Sequence, residues 1–363
     1  MRPKPLHVLV SPLDWGLGHA SRSIPVIRQL LAAGHKVTIA GYGRSFILLQ
    51  KEFPTLDSIE LKGFSPSYPR NGKMILHLMF LLPRFISSIL KEHIHLKKLI
   101  NLHQFDIVIS DNRYGLWNKN VKSILVTHQV MIKTPVWMKI AEYPLYLVSR
   151  LLISRFDECW IPDYKDAPGL SGDLSHKYPL PGNAKFIGTL SRFEHQENSD
   201  KQESHKIRIT AIISGPEPQR SIFEELVTKQ LLELKLPSTI FSGKPEFDKT
   251  IDSQGHLSII SHVSTEEFKL ITDSSSLIIC RSGYTSIMDL SILGANVLFV
   301  PTPGQTEQIY LAKLLHLQEI ALWRKQDDLD LKTDINEALK YTGFEGNIKK
   351  PELHKAIEGL KKK

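Results

Sequence analysis

Two acidic side chains and a helix start made of small residues could form a nucleotide-sugar site in the second half of the chain. Ser282 and Gly283 follow a short apolar run that predicts a buried strand, and they open a helix that we expect to end at Gly294. The free backbone N–H groups of such a helix start suit a phosphate. Carboxylates suit the hydroxyl groups of a ribose or a sugar instead. We therefore expect Asp289 and Glu307, with Gln308 beside them, to contact the sugar parts of the ligand.

This stretch resembles the donor-site half of glycosyltransferase family 28. In that family a Ser-Gly-x-x-Thr-x-x-Glu helix start precedes a Val-Pro strand end and a Gln-Gln or Glu-Gln pair. The matching residues here are Ser282-Gly-Tyr-Thr-Ser-Ile-Met-Asp289, Val300-Pro301 and Glu307-Gln308. Asp289 replaces the glutamate that takes the ribose hydroxyls, and Glu307 replaces a glutamine that touches the donor sugar. The resemblance implies a nucleotide-sugar donor, and these two differences leave the identity of the sugar open.

A second candidate site lies near the start of the chain. Leu6–Val10 predicts a strand, Gly16-Leu-Gly-His19 follows it, and a helix then runs to Gly34. Because Pro25 is tolerated only in the first turn of a helix, we expect this helix to begin close to Ser23. Strand, glycine loop and helix are the opening of a doubly wound α/β domain. A tight turn is the alternative for the glycines, and a dinucleotide site fits poorly because a serine occupies the third glycine position.

The Gly-x-Gly-His sequence resembles the acceptor-side loop of family 28. This implies that Gly16 and Gly18 lie beside the acceptor and that His19 sits at the carboxyl end of the first strand, where open α/β sheets bind ligands. An imidazole there could take a proton from an attacking hydroxyl. The alternative is a histidine that only caps the helix or holds the loop.

Two further polar residues follow later strands of the first half. Phe105–Asp111 predicts a strand with an acid at its end. Some plant sugar transferases of this fold pair such an aspartate with the loop histidine, which implies that Asp111 orients His19; capping the next turn is the alternative. His128 lies near the end of the next predicted strand, Ser123–Gln129, and resembles the histidine of a family 28 His-Glu-Gln sequence on the acceptor side.

The middle of the chain adds three donor-side predictions. Gly188–Arg192 resembles the family's Gly-Asn-Pro-x-Arg, so we expect Arg192 to reach the donor, with a surface salt bridge as the alternative. Ser214 and Gly215 occupy the place of the family's diphosphate loop. The prolines that follow them lack N–H groups, so the phosphate contact is weakened or moves to Gln219 and Arg220. His262 and Val263 fall where the family's backbone pairs with uracil.

Composition limits the class of protein. With 363 residues, 42% hydrophobic and 23% charged, the chain is globular and suits two domains. Its two cysteines, Cys159 and Cys280, are far apart and predict neither a disulfide framework nor a zinc site, so we expect a reducing cytoplasm. The N-terminus leads into only a short apolar run, so we expect no signal peptide. The net charge of +8 calls for an anionic partner. No nucleic-acid motif is visible, so we expect no nucleic acid.

Two apolar segments, Met74–Leu82 and Val136–Phe156, are interrupted by proline or by charged residues. Neither provides the roughly 18 uncharged residues that a membrane span needs. Apolar helices with basic flanks suit a surface lying on anionic lipid. Two core helices with solvated basic edges are the alternative.

The complete interpretation is an α/β protein of two Rossmann-like doubly wound domains facing across a cleft, the GT-B arrangement. We expect an acceptor-side domain over residues 1–192, a polar linker over 193–205 and a donor domain over 206–363. The expected activity is transfer of a hexose or N-acetylhexosamine from a nucleotide diphosphate donor, with uridine favoured, to a hydroxyl of a cell-envelope glycan or lipid. We expect no cofactor and no metal, and a cytoplasmic protein attached to the inner face of the plasma membrane. A nucleotide-sugar epimerase of the same fold and a non-catalytic basic protein that binds membrane or nucleic acid are the alternatives.

Overall fold

The computed structural model describes residues 4–64, 74–193, 207–246, 251–345 and 352–363. The chain divides into two compact units. Unit 1 contains the described residues up to Phe64, then Leu78–Leu190 and the C-terminal residues 352–363, whereas unit 2 contains mainly the described residues 191–345. Apart from Phe193, the predicted linker 193–205 lies outside the described residues.

Unit 1 is built on a seven-stranded parallel sheet in the order β3-β2-β1-β4-β5-β6-β7. The strand order reverses between β1 and β4, and open α/β sheets bind ligands beyond the carboxyl ends of the strands at such a point. The central strands are buried on both faces, which explains their continuous apolar sequences. The strands are β1 His7–Pro12, β2 Lys36–Gly41, β3 Asp57–Glu60, β4 Ile107–Asp111, β5 Lys122–Val126, β6 Glu158–Ile161 and β7 Ala184–Phe186.

The helices of unit 1 cover this sheet, and the first of them corrects an expectation from the sequence. It begins at Leu17 rather than near Ser23, so Pro25 lies inside it. The missing N–H of Pro25 costs one helical hydrogen bond, but the buried face of this helix packs on the sheet and outweighs that loss. The helices are α1 Leu17–Ala32, α2 Gly43–Glu52, α3 Met74–His103, α4 Glu142–Ile153 and α5 Asp173–His176, with a 3-10 helix Val136–Ala141.

Unit 2 repeats this topology around a second seven-stranded sheet in the order β10-β11-β9-β8-β12-β13-β14. All its pairs are parallel except the edge pair β10–β11. Its strand order reverses between β8 and β12, so the loops after these two strands are the expected ligand-binding loops. The strands are β8 Ile209–Ile212, β9 Ser238–Phe241, β10 Ile251–Gln254, β11 Leu257–Ile260, β12 Leu277–Cys280, β13 Val297–Phe299 and β14 Leu322–Trp323.

The helices of unit 2 alternate with these strands, and the last helix of the chain belongs to unit 1. There it packs on α1, and Lys362 Nζ lies 2.7 Å from Asp106 Oδ1. The prediction of two Rossmann-like α/β domains is confirmed. No helix in the described part of the chain is long and apolar enough to cross a membrane. The helices are α6 Gln219–Leu234, α7 Thr265–Asp273, α8 Tyr284–Leu293, α9 Thr306–Leu317, α10 Leu331–Ala338 and α11 Leu353–Glu358, with a 3-10 helix Gln326–Asp328.

Candidate active site

The glycine loop of unit 1 connects β1 to α1 at the point where the strand order reverses. Gly16 precedes α1 with φ of 119°, a backbone conformation that favours glycine. Its carbonyl accepts a 2.7 Å hydrogen bond from the Ser45 hydroxyl, which ties the loop to α2. Gly18 and His19 lie in the first turn of α1. The loop therefore holds His19 at the carboxyl edge of the sheet.

The structure brings His19 and Asp111 together. Asp111 is the last residue of β4 and its side chain is almost completely buried, whereas the His19 side chain is 18% exposed. His19 Nδ1 lies 3.1 Å from Asp111 Oδ1. A carboxylate in this position can orient an imidazole and stabilise its protonated form. This is the arrangement that the predicted dyad requires.

Arg22 joins these two residues, although no motif in the sequence points to it. Its side chain is only 2% exposed and donates to both carboxylate oxygens of Asp111, at 2.6 Å from Nε to Oδ2. Burial opposes the ionisation of Asp111, but the charges of Arg22 and His19 hold the pKa of that carboxyl well below its usual range. The spacing i, i+3 from His19 along a helix was the one sequence signal for Arg22.

Arg22 also competes with Asp111 for His19. Arg22 Nη2 lies 2.9 Å from the same Nδ1 atom of His19. If Nδ1 donates its proton to Asp111, Nε2 has a free lone pair and can act as a base. If Nδ1 accepts from Arg22, the proton resides on Nε2 and the ring can only donate there. The base role of His19 therefore depends on which neighbour Nδ1 bonds.

His128 belongs to the same cluster. It follows β5 by two residues, and its side chain is buried with Nδ1 3.1 Å from Arg22 Nη1. Because a guanidinium only donates, this contact favours a lone pair on Nδ1 of His128. The three residues predicted from separate strand ends, His19, Asp111 and His128, thus meet at one arginine.

In unit 2 the predicted donor loops are joined by Ser282 and Gln308. The Ser282 hydroxyl donates to the Gln308 carbonyl at 2.8 Å, and Gln308 Oε1 accepts the N–H of Thr302 at 2.7 Å. Gly283 then precedes α8, which ends at Gly294 in the left-handed conformation, as the sequence predicts. Glu307 lies in the first turn of α9. The loops after β12 and β13 therefore form one structure at the carboxyl edge.

Asp289 and Arg192 also come together. Arg192 Nε lies 3.9 Å from Asp289 Oδ2, and the Ser191 hydroxyl donates to Asp289 Oδ1 at 2.7 Å. Burial raises the pKa of Asp289, and the charge of Arg192 opposes this shift. The Arg192 guanidinium lies 4.3 Å from the centre of the Phe268 ring, which fixes its orientation. Thus Oδ1 of Asp289 accepts a hydrogen bond from Ser191, and Oδ2 lies near the Arg192 guanidinium.

The other predicted donor residues lie at the expected strand ends. Ser214 and Gly215 follow β8, and Gly215 has φ of 113°, which favours glycine. His262 and Val263 follow β11 and precede α7. Arg220, the alternative phosphate contact, is buried and bonds Glu217 at 2.6 Å and Glu224 at 3.0 Å, so its charge is already compensated.

Comparisons with known proteins match both halves of the chain to glycosyltransferases. Residues 223–360 match the glycosyltransferase family 28 C-terminal domain, and residues 10–121 match glycosyl transferase family 1. An uncharacterized glycosyltransferase of Methanosarcina acetivorans is 26% identical over 320 residues, covering 81% of this chain and 79% of that protein.

A further relative and a solved structure each match most of the chain. The UDP-N-acetylglucosamine–N-acetylmuramyl-(pentapeptide) pyrophosphoryl-undecaprenol N-acetylglucosamine transferase of Buchnera aphidicola is 23% identical over 343 residues, covering 88% of this chain and 85% of that protein. The structure of the spinosyn rhamnosyltransferase SpnG superposes with a TM-score of 0.63 at 15% identity, covering 97% of this chain and 95% of that one.

The contact between Arg22 and Asp111 predicts a large effect on stability. We expect Arg22→Met to lower the free energy of unfolding by about 3–5 kcal/mol, because it leaves a buried carboxylate without its cation. Arg28→Met on the same helix is the matched control, since Arg28 pairs with Glu52 nearer the surface and should cost only about 0–1 kcal/mol. Urea unfolding measures both, and equal losses would contradict a special role for the buried pair.

A second buried acid on the glycine loop predicts a pH effect. Both carboxylate oxygens of Asp14 are buried without a hydrogen bond among the described residues. Burial raises the pKa of Asp14 to about 6, with Arg113 opposing. In the unfolded chain the pKa is about 4, so folding takes up a proton between about pH 4 and pH 6. This group therefore lowers stability as the pH rises through that window.

We expect Asp14→Asn to be more stable than the wild type at pH 7.5, with the difference vanishing near pH 4. Urea unfolding across this range measures the effect. Asp57→Asn is the control, because the exposed Asp57 pairs with Lys36 and its pKa is lowered instead. A gain for Asp14→Asn that is independent of pH would show that Asp14 does not titrate as described.

Proposed function

Because this chain is a glycosyltransferase of the GT-B fold that resembles family 28, we propose that it transfers a hexose or N-acetylhexosamine from a nucleotide diphosphate donor to a hydroxyl group. The observation that carries the proposal is the partly buried contact of His19 with Asp111 at the point where the strand order of unit 1 reverses. His19 removes the proton of the acceptor hydroxyl when Nδ1 bonds Asp111 and Nε2 is free. Asp111 then stabilises the imidazolium that forms.

We propose a uridine-linked donor and a lipid or glycan acceptor of the cell envelope. The name of the Buchnera relative gives a UDP-linked donor and a pyrophosphoryl-undecaprenol acceptor for that protein. In this chain the loops around Gly215 and Gly283 would receive the diphosphate, and Asp289 and Glu307 the ribose and sugar hydroxyls. Backbone N–H groups and Arg192, without a metal or a cofactor, would stabilise the leaving diphosphate.

We also propose that unit 1 binds an anionic membrane through an apolar face formed by Val136, Trp137 and Ile140. These side chains are 91%, 70% and 92% exposed, and no residue of their 3-10 helix is buried. The rest of the predicted segment, α4, instead packs into the core through Tyr146 and Ile153, as the core-helix alternative expects, so the proposed membrane face is limited to the 3-10 helix. Lys139 and Arg150 are exposed beside this face and in α4. Apolar side chains with basic neighbours suit insertion into an anionic headgroup layer.

Substitution of His19 tests the activity. We expect His19→Ala to lower turnover by about 10²–10⁴, the usual effect of losing a general base. His19→Gln should be nearly as slow, since an amide forms hydrogen bonds but cannot accept a proton at neutral pH. The measurement is UDP release from UDP-hexoses and UDP-N-acetylhexosamines with lipid-linked and soluble glycan acceptors. His103→Gln, an exposed histidine at the end of α3, is the control.

Retention of most activity by His19→Gln would assign His19 to acceptor positioning instead. Release of free or epimerised sugar without any acceptor would favour the epimerase. Unfolding measurements on each variant separate these outcomes from a loss of the fold.

Vesicle sedimentation tests the membrane proposal. We expect binding to vesicles that contain phosphatidylglycerol, weaker binding at high salt because screening reduces the attraction, and little binding to phosphatidylcholine. The double variant Trp137→Ser with Ile140→Ser should bind at least about tenfold more weakly, since each inserted apolar side chain contributes about 1.5–3 kcal/mol. Leu317→Ser, which removes an equally exposed leucine from α9, should change nothing. Equal binding of the double variant would contradict this face.

A further inference from the structure

The buried side chain of Arg281 connects the ligand-binding loops of unit 2. It directly follows β12, and only 1% of the residue is exposed. Nη1 donates to the carbonyls of Val300 and Pro301 at 3.0 and 3.1 Å, after β13. Nη2 donates to the Gln219 carbonyl at 3.0 Å and to Gln326 Oε1 at 2.6 Å. One side chain thus connects the loops after β8, β12 and β13, the three that are predicted to hold the donor.

The charge of Arg281 is not compensated within the described part of the chain. All four acceptors of its hydrogen bonds are neutral, and no described carboxylate forms an ion pair with it. Its guanidinium lies 4.0 Å from the centre of the Phe223 ring. Burial lowers the pKa of Arg281 to about 9, whereas for Arg220, which is also buried, Glu217 and Glu224 outweigh the effect of burial and raise the pKa. A buried cation without a counter-charge is costly, which favours an anion bound nearby.

A second observation shows where such an anion fits. Thr302 is completely buried, and its hydroxyl has no hydrogen-bond partner in the described structure. This hydroxyl lies 3.8 Å from the position that a Cβ atom on Gly215 would occupy. Buried hydroxyls are normally satisfied, so an unpaired one beside a glycine loop points to a ligand group that accepts its proton. Thr302 immediately follows Pro301, whose carbonyl Arg281 holds.

We propose that Arg281 is a positioning residue for the donor diphosphate, providing a buried positive charge behind the three loops while the Thr302 hydroxyl and the loop N–H groups contact the phosphates. This inference rests on the proposed function, since it requires a nucleotide diphosphate donor. The charge acts on the diphosphate as it binds and more strongly as it leaves with an additional negative charge. A unit charge within about 10 Å, at the effective dielectric of a protein, changes the affinity for a diphosphate by about tenfold or more.

The test separates charge from structure by comparing two ligands of the full chain. Dissociation constants are measured for UDP, which carries the diphosphate, and for uridine, which carries none. We expect Arg281→Met to weaken UDP binding by about tenfold or more and uridine binding by less than about twofold. Arg281→Lys should keep most of the preference for UDP, because it keeps the charge. Arg324→Met is the control, since Arg324 is paired with Asp334 and Glu337 and should leave the UDP-to-uridine ratio unchanged.

Equal weakening of UDP and uridine binding in Arg281→Met would overturn the proposal and show that Arg281 only supports the structure of the loops. If that variant does not fold, Arg281→Gln, which keeps hydrogen-bond donors but not the charge, decides: a loss of the preference for UDP over uridine by about tenfold or more supports the proposal, and an unchanged preference overturns it. If the wild type binds no UDP, the uridine donor of the proposed function is wrong. The same comparison is then made with inorganic pyrophosphate, and the absence of Arg281-dependent pyrophosphate binding overturns the present proposal as well.

Discussion

The buried ion pair of Arg22 with Asp111 is the constraint on which the acceptor-side cluster depends. It joins α1 to the end of β4, and the same guanidinium reaches His19 and His128. A buried carboxylate is stable only when a cation and hydrogen bonds satisfy it. Because Arg22 satisfies Asp111, the aspartate stays ionised in an interior where burial alone would protonate it. The glycine loop then places the imidazole against a permanent negative charge.

The contact between Arg22 and Asp111 affects the chemistry of His19. The carboxylate of Asp111 is shared, because it accepts hydrogen bonds from Arg22 and also lies against His19 Nδ1. The arginine also donates toward the same ring nitrogen, so the tautomer that can act as a base competes with one that cannot. The chemistry of the site is therefore a balance between two neighbours of Nδ1. An acceptor that bonds Nε2 through its hydroxyl proton would favour the productive tautomer.

Each unit holds a buried arginine where its strand order reverses, but the hydrogen-bond partners of the two arginines differ in charge. In each sheet the strand order reverses beside the first strand of the unit, at β1/β4 and at β8/β12, and a buried arginine ties the loops there. In unit 1 the charge of Arg22 is matched by Asp111, which suits a site that moves a proton. In unit 2 the charge of Arg281 meets only neutral acceptors, which suits a site for an anion. The same fold can therefore support two different kinds of chemistry through the partner of one arginine.

The sequence by itself determined the α/β class, most of the strands around the site, the glycine loop and the Gly294 helix end, because these follow from local apolar runs and from residues with unusual backbone freedom. It placed His19, Asp111 and His128 each at a strand end, and it could not show that they share an arginine. It also placed the start of α1 wrongly, since the local rule for Pro25 is outweighed by packing on the sheet. Arg22 meets Asp111 and His128 across 89 and 106 residues of chain. These contacts form only because β1, β4 and β5 are neighbours in the folded sheet. Which strands become neighbours is a property of the tertiary structure, so the local sequence around each residue could not predict the contacts.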